Sequence, residues 1–212
     1  MFGNSNTKRA RNHPTWFVMM IVVVGLVSSE LLLLAAERGQ ALVGQLLVAT
    51  EEMQDPRFVE SVIYIVKHDH EGTMGLVINR PLAQGPIDDL LKGFGAETKG
   101  SGREIIIHYG GPVSSRQGFV LHSDDVLLEN SMKAKDGIAA TSDTKIIESI
   151  ANDKGPRQFL FMFGYAGWAP GQLEDEIKRK TWAAVSADKA LIFGKDAEKK
   201  WRQAIDKRQI PL

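Results

Sequence analysis

Short apolar runs alternate with polar, glycine-containing connections along most of the chain, and such runs are typical of strands in a sheet. Strands are predicted at residues 45–50, 62–66, 74–79, 105–109, 118–122, 137–140, 158–163, 182–185 and 190–193. Helices are predicted at residues 85–93, after the capping residues 141–143, from Pro170, and after Asp196. Residues 80–81 are expected to close a hairpin, because proline cannot extend a ladder. The pattern predicts one α+β domain with a large mixed β-sheet flanked by helices.

The most distinctive local pattern lies between residues 163 and 177, where an apolar run gives way to glycines, aromatic residues and a charged segment. The preceding strand is predicted to be central in the sheet and to end at Phe163. Residues 164–168 are predicted to turn the chain. Pro170 is predicted to begin a helix, because acidic residues precede basic ones there as the helix dipole favours.

Two interpretations of this junction remain open. In one, its glycines permit close packing while Tyr165 and Trp168 seal the end of the sheet. In the other, aromatic walls beside the helix start bind a small anionic or amphipathic ligand. The glycines at 110–111 likewise indicate a tight turn or, alternatively, backbone N–H groups exposed to an anion. The candidate ligand-binding residues are therefore Tyr165, Gly167, Trp168, Gln172, Gly110 and Gly111.

The beginning of the chain has the layout of an export signal or a membrane anchor. Three basic residues precede an apolar run at residues 16–27, and residues 31–36 form a second run. Cleavage is predicted after Ser29 or Ala36; without cleavage, residues 16–36 are long enough for a membrane anchor. Glu30 favours the cleaved form, because a charge within a spanning helix is costly. The alternatives are that this segment forms a buried N-terminal helix, or that the assigned start of the gene lies upstream of the true start. The predicted division is therefore residues 1–40 and a domain at residues 41–212.

Composition and charge narrow the classes of function. The chain of 212 residues contains no cysteine, which excludes thiolate nucleophiles, disulfides and cysteine metal sites. Residues 1–40 carry four basic and two acidic residues, which leaves 22 basic and 24 acidic residues in the predicted domain. Direct binding of nucleic acid is not expected without a basic excess. The basic residues near the C-terminus, including Lys199 and Lys200, are interleaved with acidic ones and predict a solvated helix face.

Histidines supply two further candidate sites. His68 and His70 beside Glu71 resemble part of a metal site, but the following glycine favours an exposed turn. His108 and His122 lie at neighbouring ends of two predicted strands, and two carboxylates, Asp124 and Asp125, are close in sequence. A catalytic pair is one interpretation, and histidines with satisfied hydrogen bonds at the rim of a sheet are the favoured one.

Motifs for common cofactors and nucleophiles are missing from the sequence. It contains no Gly-x-Ser-x-Gly, no Gly-x-Gly-x-x-Gly after a strand and no Walker-type loop. We therefore expect no catalytic residue, no metal and no cofactor.

Six segments, taken together and in this order, resemble the YqgE/AlgH family. They are QLLVA at residues 45–49, DPRF at 55–58, GLVINRP at 75–81, GGPV at 110–113, GYAGW at 164–168 and QLE at 172–174. The resemblance covers nearly all of residues 44–205. It implies an α+β fold with a large mixed sheet, a cytosolic address and no assigned activity. Some members are labelled transcriptional regulators, a label that implies no known DNA-binding element. The chain departs from the family in two places. Ala169 stands where members often have another glycine. Members usually begin near residue 45, so the apolar segment before it argues against the cytosolic location that the resemblance implies.

The leading hypothesis is a non-enzymatic binding or regulatory module that acts through contacts with a protein or a small ligand. If residues 16–36 are not cleaved, the membrane is a further partner. The alternative is a hydrolytic or metal-assisted enzyme that uses His108, His122 and nearby carboxylates.

Overall fold

A computed structural model describes residues 42–97 and 100–208, which form ten strands and five helices. The strands are β1 (Gln45–Ala49), β2 (Val62–Asp69), β3 (Gly72–Val77), β4 (Pro81–Pro86), β5 (Glu104–Tyr109), β6 (Val113–Ser123), β7 (Met132–Lys133), β8 (Ile138–Thr141), β9 (Phe159–Trp168) and β10 (Trp182–Ser186). The helices are α1 (Ile87–Gly93), α2 (Lys145–Ala151), α3 (Gln172–Lys178), α4 (Lys189–Phe193) and α5 (Ala197–Lys207).

The ten strands form one sheet that is organised around β9. Its main path runs β10-β1-β2-β3-β9-β6-β8-β7, and β5 joins β9 while β4 joins β5. Only the β5–β9 pair is parallel among the strand pairs of the described residues. The α+β class and the single domain are confirmed, and the sheet is predominantly antiparallel, with one parallel pair that makes it mixed.

Alternating side chains give the sheet two apolar faces. The first face packs against α4 and α5 through residues such as Leu191 and Ala204. The second face is covered in two halves: α3 packs over β1, β2 and β3, while α1 and α2 pack over β5, β6 and β9. Because successive residues of a strand point to opposite faces, each buried strand contributes to both layers.

The prediction that the central strand ends at Phe163 is wrong, because β9 continues through Gly164 to Trp168. Gly164 has a φ of +72° and adds one residue to the alternation, as a β-bulge does. Consequently Phe163 before it and Ala166 after it both lie on the second face. A Cβ atom on Gly164 would overlap the carbonyl oxygen of Gly111, so glycine here permits two backbones to cross rather than turning the chain.

Three other predictions fail for local reasons. Residues 190–193 belong to helix α4, not to a strand, and the side chain of Asp188 caps that helix. Residues 81–86 form strand β4, although residues 80–81 were predicted to close a hairpin and residue 85 to begin a helix. Strand β4 has prolines at both ends and pairs only with β5 in the described part of the chain. Helix α3 begins at Gln172 rather than at Pro170, because Gly171 occupies the left-handed N-cap position.

The predicted signal or anchor at residues 16–36 lies outside the described residues. Within residues 42–97 and 100–208, no helix has both the length and the apolarity needed to cross a membrane.

Candidate functional site

Glu176 on α3 is half-buried and is the centre of a polar cluster that lies against the second face of the sheet. One of its carboxylate oxygens accepts hydrogen bonds from the indole N–H groups of Trp168 and Trp182, each at 2.9 Å. The other accepts from the side-chain amide of Gln172, also at 2.9 Å. Trp168 and Trp182 are only 8% and 2% exposed, and their rings meet edge to face. The two indole donors therefore fasten α3 to the sheet, while Gln172 binds the carboxylate from within the same helix.

A second polar cluster lies beside the first and joins β2, β3 and α3. The imidazole Nδ1 of His68 lies 2.5 Å from the hydroxyl of Thr73, and its Nε2 lies 3.4 Å from Glu174. His68 is 8% exposed and Thr73 is 6% exposed, so the prediction of an exposed turn is wrong for His68. The order hydroxyl, imidazole, carboxylate resembles a nucleophilic triad, but a nucleophile must reach a substrate, and this hydroxyl is buried under α3. The arrangement supports the docking of α3.

A surface groove opens on the first face of the sheet, and we call it the Tyr165 groove. Its volume is about 440 Å³, and it is lined by Lys67, Glu71, Gly72, Thr73, Met74, Val113, Tyr165, Gly167 and Trp168. Tyr165 is held in place by an edge-to-face contact with Phe119, at 5.8 Å between ring centroids. At one rim, Lys67 forms an ion pair with Glu71 at 2.7 Å. The groove thus combines an aromatic wall, aliphatic side chains and a pair of charges.

One edge of β9 is open beside this groove. Strand β6 pairs with β9 as far as Tyr165, which lies opposite Val113. Ala166, Gly167 and Trp168 pair with β3 on the other edge. Among the described residues, no strand therefore pairs with the last three residues of β9 on the side where β6 stops.

The structure brings together only part of the predicted ligand site. Tyr165, Gly167 and Trp168 line the groove. Gln172 does not: its side chain bonds Glu176 and the backbone N–H of Ala169. Its own N–H donates to the carbonyl of Ala169 at 3.0 Å and is not available to a ligand.

The glycines at 110 and 111 are also elsewhere. Both are buried, and a Cβ atom on either would overlap the backbone of residues 164–166. The structure therefore places them at the backbone crossing with β9, where glycine is required for close approach.

His108 and His122 do not form a pair. His108 pairs with Met162, and both side chains lie on the first face of the sheet. His122 comes two residues after Val120 in β6, so its side chain points to the second face, as that of Val120 does. Each Nδ1 contacts a backbone carbonyl, that of Phe161 at 3.1 Å and that of Ser123 at 2.9 Å. Burial lowers the pKa of both imidazoles below the usual value, so both favour the neutral form. The sheet separates the two residues that the enzyme hypothesis requires to meet.

The alternative interpretation of His68, His70 and Glu71 as part of a metal site is likewise without support. Within residues 42–97 and 100–208, no group of three or more histidine, cysteine, aspartate or glutamate residues is placed to hold a metal ion.

Lys200 is a feature that the sequence prediction assigned wrongly. It is 2% exposed, and its ammonium donates to the carbonyls of Ile78 at 3.0 Å and Ile192 at 2.7 Å. Burial lowers the pKa of Lys200 to about 8, and no carboxylate within residues 42–97 or 100–208 forms an ion pair with it. A signal was present in the sequence, since Lys200 lies four residues before Ala204 on the apolar stripe of α5.

Together these features define an α+β domain with polar clusters between α3 and the sheet and an open surface groove. The family model described as AlgH-like matches residues 46–212. The chain belongs to this AlgH-like family.

Relatives and solved structures agree with this assignment. A UPF0301 protein from Methylococcus capsulatus is 44% identical over 169 residues, which cover 80% of this chain and 92% of the relative. One from Afipia carboxidovorans is 40% identical over 177 residues, with 80% and 84% covered. The solution structure of the AlgH protein from Pseudomonas aeruginosa has a TM-score of 0.67 and 32% identity, over 79% of this chain and 89% of that one. A crystal structure of a Corynebacterium diphtheriae protein, 21% identical with a TM-score of 0.64, shares the fold and covers 81% of this chain and 88% of its own.

Proposed function

We propose that the domain is a non-catalytic binding module that holds an extended segment of a partner protein in the Tyr165 groove. The observation that carries this proposal is the open edge of β9 at residues 166–168, directly beside the groove. An extended peptide can add to such an edge through backbone hydrogen bonds, and alternate side chains then enter the neighbouring surface.

The shape and lining of the groove support a peptide over a small molecule. An extended peptide can continue the hydrogen bonding of the sheet along the unpaired edge of β9, which a small molecule cannot do. Met74, Val113 and Tyr165 offer apolar contacts, and Val113 is 38% exposed. The Lys67–Glu71 pair at the rim offers polar contacts that set the orientation of a peptide. The alternative, an enzyme based on His108 and His122, receives no such support, because the two imidazoles lie on opposite faces.

Peptide selection tests this proposal. Random short peptides are selected against the full-length chain and mapped by the backbone amide shifts of Gly167 and Trp168. We expect Val113→Glu to weaken the selected peptides about tenfold, because it places a charge on the apolar wall. Leu127→Glu is the matched control, since Leu127 is 37% exposed and follows the other end of β6 in the chain. Equal affinity for both variants, or shifts confined to other strands, would refute the proposal.

We also propose that residues 1–40 deliver the domain at residues 41–212 to or across a membrane. The support is the order of basic residues and apolar runs before residue 37. Fractionation of the C-terminally tagged chain, followed by N-terminal sequencing, is expected to give a membrane-bound or exported product. Cleavage would leave residue 30 or 37 first. A cytosolic product that begins near residue 40 would contradict this proposal.

A further inference from the structure

A second groove lies under α1, on the second face of the sheet, and we call it the α1 groove. Its volume is about 430 Å³, and its lining includes Pro86, Leu90, Phe94, Ile107, Arg116 and Phe163. Ile107 and Phe163 form its floor on neighbouring strands β5 and β9, while Leu90 and Phe94 come from the helix side. These four apolar side chains are half-buried, so each keeps part of its apolar surface exposed to solvent. The volume falls within the range of pockets that hold small ligands.

The charges at the mouth of the groove favour an anion. Arg116 is exposed, and it forms no ion pair or hydrogen bond with any residue of 42–97 or 100–208. The one acidic side chain in the lining, Asp89, lies 3.5 Å from the ammonium of Lys92. Since Lys92 offsets the charge of Asp89, the guanidinium of Arg116 leaves an excess positive charge beside the apolar floor.

We propose that the α1 groove binds a small monocarboxylic acid with an aromatic or branched apolar body. The apolar body lies over Ile107 and Phe163 against Phe94, where it removes half-buried apolar surface from water. The carboxylate meets the guanidinium of Arg116, whose planar fork matches its two oxygens. This site is separate from the Tyr165 groove and needs no partner protein.

The probe for this site is 4-phenylbutyrate, and its matched uncharged analogue is 4-phenylbutyramide. Each is titrated into the full-length chain while the methyl resonances of Leu90 and Ile107 are followed by NMR. We expect saturable shifts of both methyl groups with the acid, and about tenfold weaker binding of the amide, because the amide lacks the charge-assisted hydrogen bonds.

Arg116→Gln is expected to reduce the affinity for the acid to that for the amide, while the affinity for the amide stays unchanged. Arg179→Gln is the matched control, since Arg179 is also an exposed arginine without an ion pair in the described part of the chain. Both arginines are exposed, so neither change is expected to impair folding. Equal affinities for acid and amide, the same loss in both variants, or no saturable shift at Leu90 and Ile107 would overturn the proposal. Shifts at Gly167 and Trp168 report the Tyr165 groove instead, so the two proposals fail separately.

Discussion

Replacing Glu176 with alanine is expected to lower the free energy of unfolding by about 3 kcal/mol. The carboxylate accepts three hydrogen bonds, and two of the donors belong to tryptophans that are 8% and 2% exposed. Without it, both indole N–H groups lose their partner in a place where water replaces it poorly, and α3 loses its main polar attachment to the sheet. Chemical denaturation followed by tryptophan fluorescence measures the loss directly, because Trp168 and Trp182 are the donors.

The matched control for this prediction lies on the same helix. Asp175 pairs with Lys178 at 3.0 Å, but the two side chains are 64% and 75% exposed. Asp175→Ala removes one negative charge from α3, as the first variant does, and is expected to cost about 0.5 kcal/mol or less. If the two variants lose the same stability, the net charge of α3 and not the tryptophan contacts explains the effect.

Replacing Lys200 with methionine is expected to remove a rise in stability between about pH 8 and pH 10. The folded state holds Lys200 at a pKa of about 8, below its ordinary value of 10.5. Between these values the unfolded chain binds more protons than the folded chain, so the free energy of unfolding increases with pH. The free energy of unfolding increases by about 3 kcal/mol when the pH rises through both pKa values. Below about pH 8 both states carry the charge, and the burial penalty is fully present.

Denaturation across this pH range measures the effect as the difference between variant and parent. His108 faces Lys200, but its lowered pKa keeps it neutral throughout the window. Tyr64, whose pKa burial raises to about 12, is present in both proteins and its contribution cancels. Lys199→Met is the control, because Lys199 is its exposed neighbour on α5 and pairs with Asp196 at 2.6 Å. This control is expected to keep the rise, and a parent profile that is flat from pH 8 to pH 10 would contradict the assignment to Lys200.

The strands of the fold could be predicted from sequence wherever apolar runs were bounded by turns, as in β1, β2 and β5. The same rule failed for residues 190–193, because a run of four apolar residues has no period that separates a strand from a helix. It also failed at Gly164, where the glycine was interpreted as the end of a strand. Its positive φ serves a bulge against Gly111, which is 53 positions away in the chain and invisible to local patterns.

The candidate site shows the same division between local and distant information. Tyr165, Gly167 and Trp168 contribute to one groove, and their proximity was to be expected because they lie within four positions of each other in the sequence. Met74 and Val113 were not predicted, since they reach that surface only through the pairing of β3 and β6 with β9. Gln172 was assigned to a ligand because the start of the helix was expected to offer free backbone N–H groups, but its N–H donates to the carbonyl of Ala169.

The central place of β9 constrains the order in which the chain can fold during its synthesis. Strands β3, β5 and β6 all leave the ribosome before β9, yet each of them takes β9 as a neighbour. At about 5 to 20 residues per second, the interval between the completion of β3 and that of β9 is on the order of 5 to 20 seconds. During this interval the nascent chain presents unpaired strand edges. Until Trp168 emerges, these edges can pair with strands of other chains.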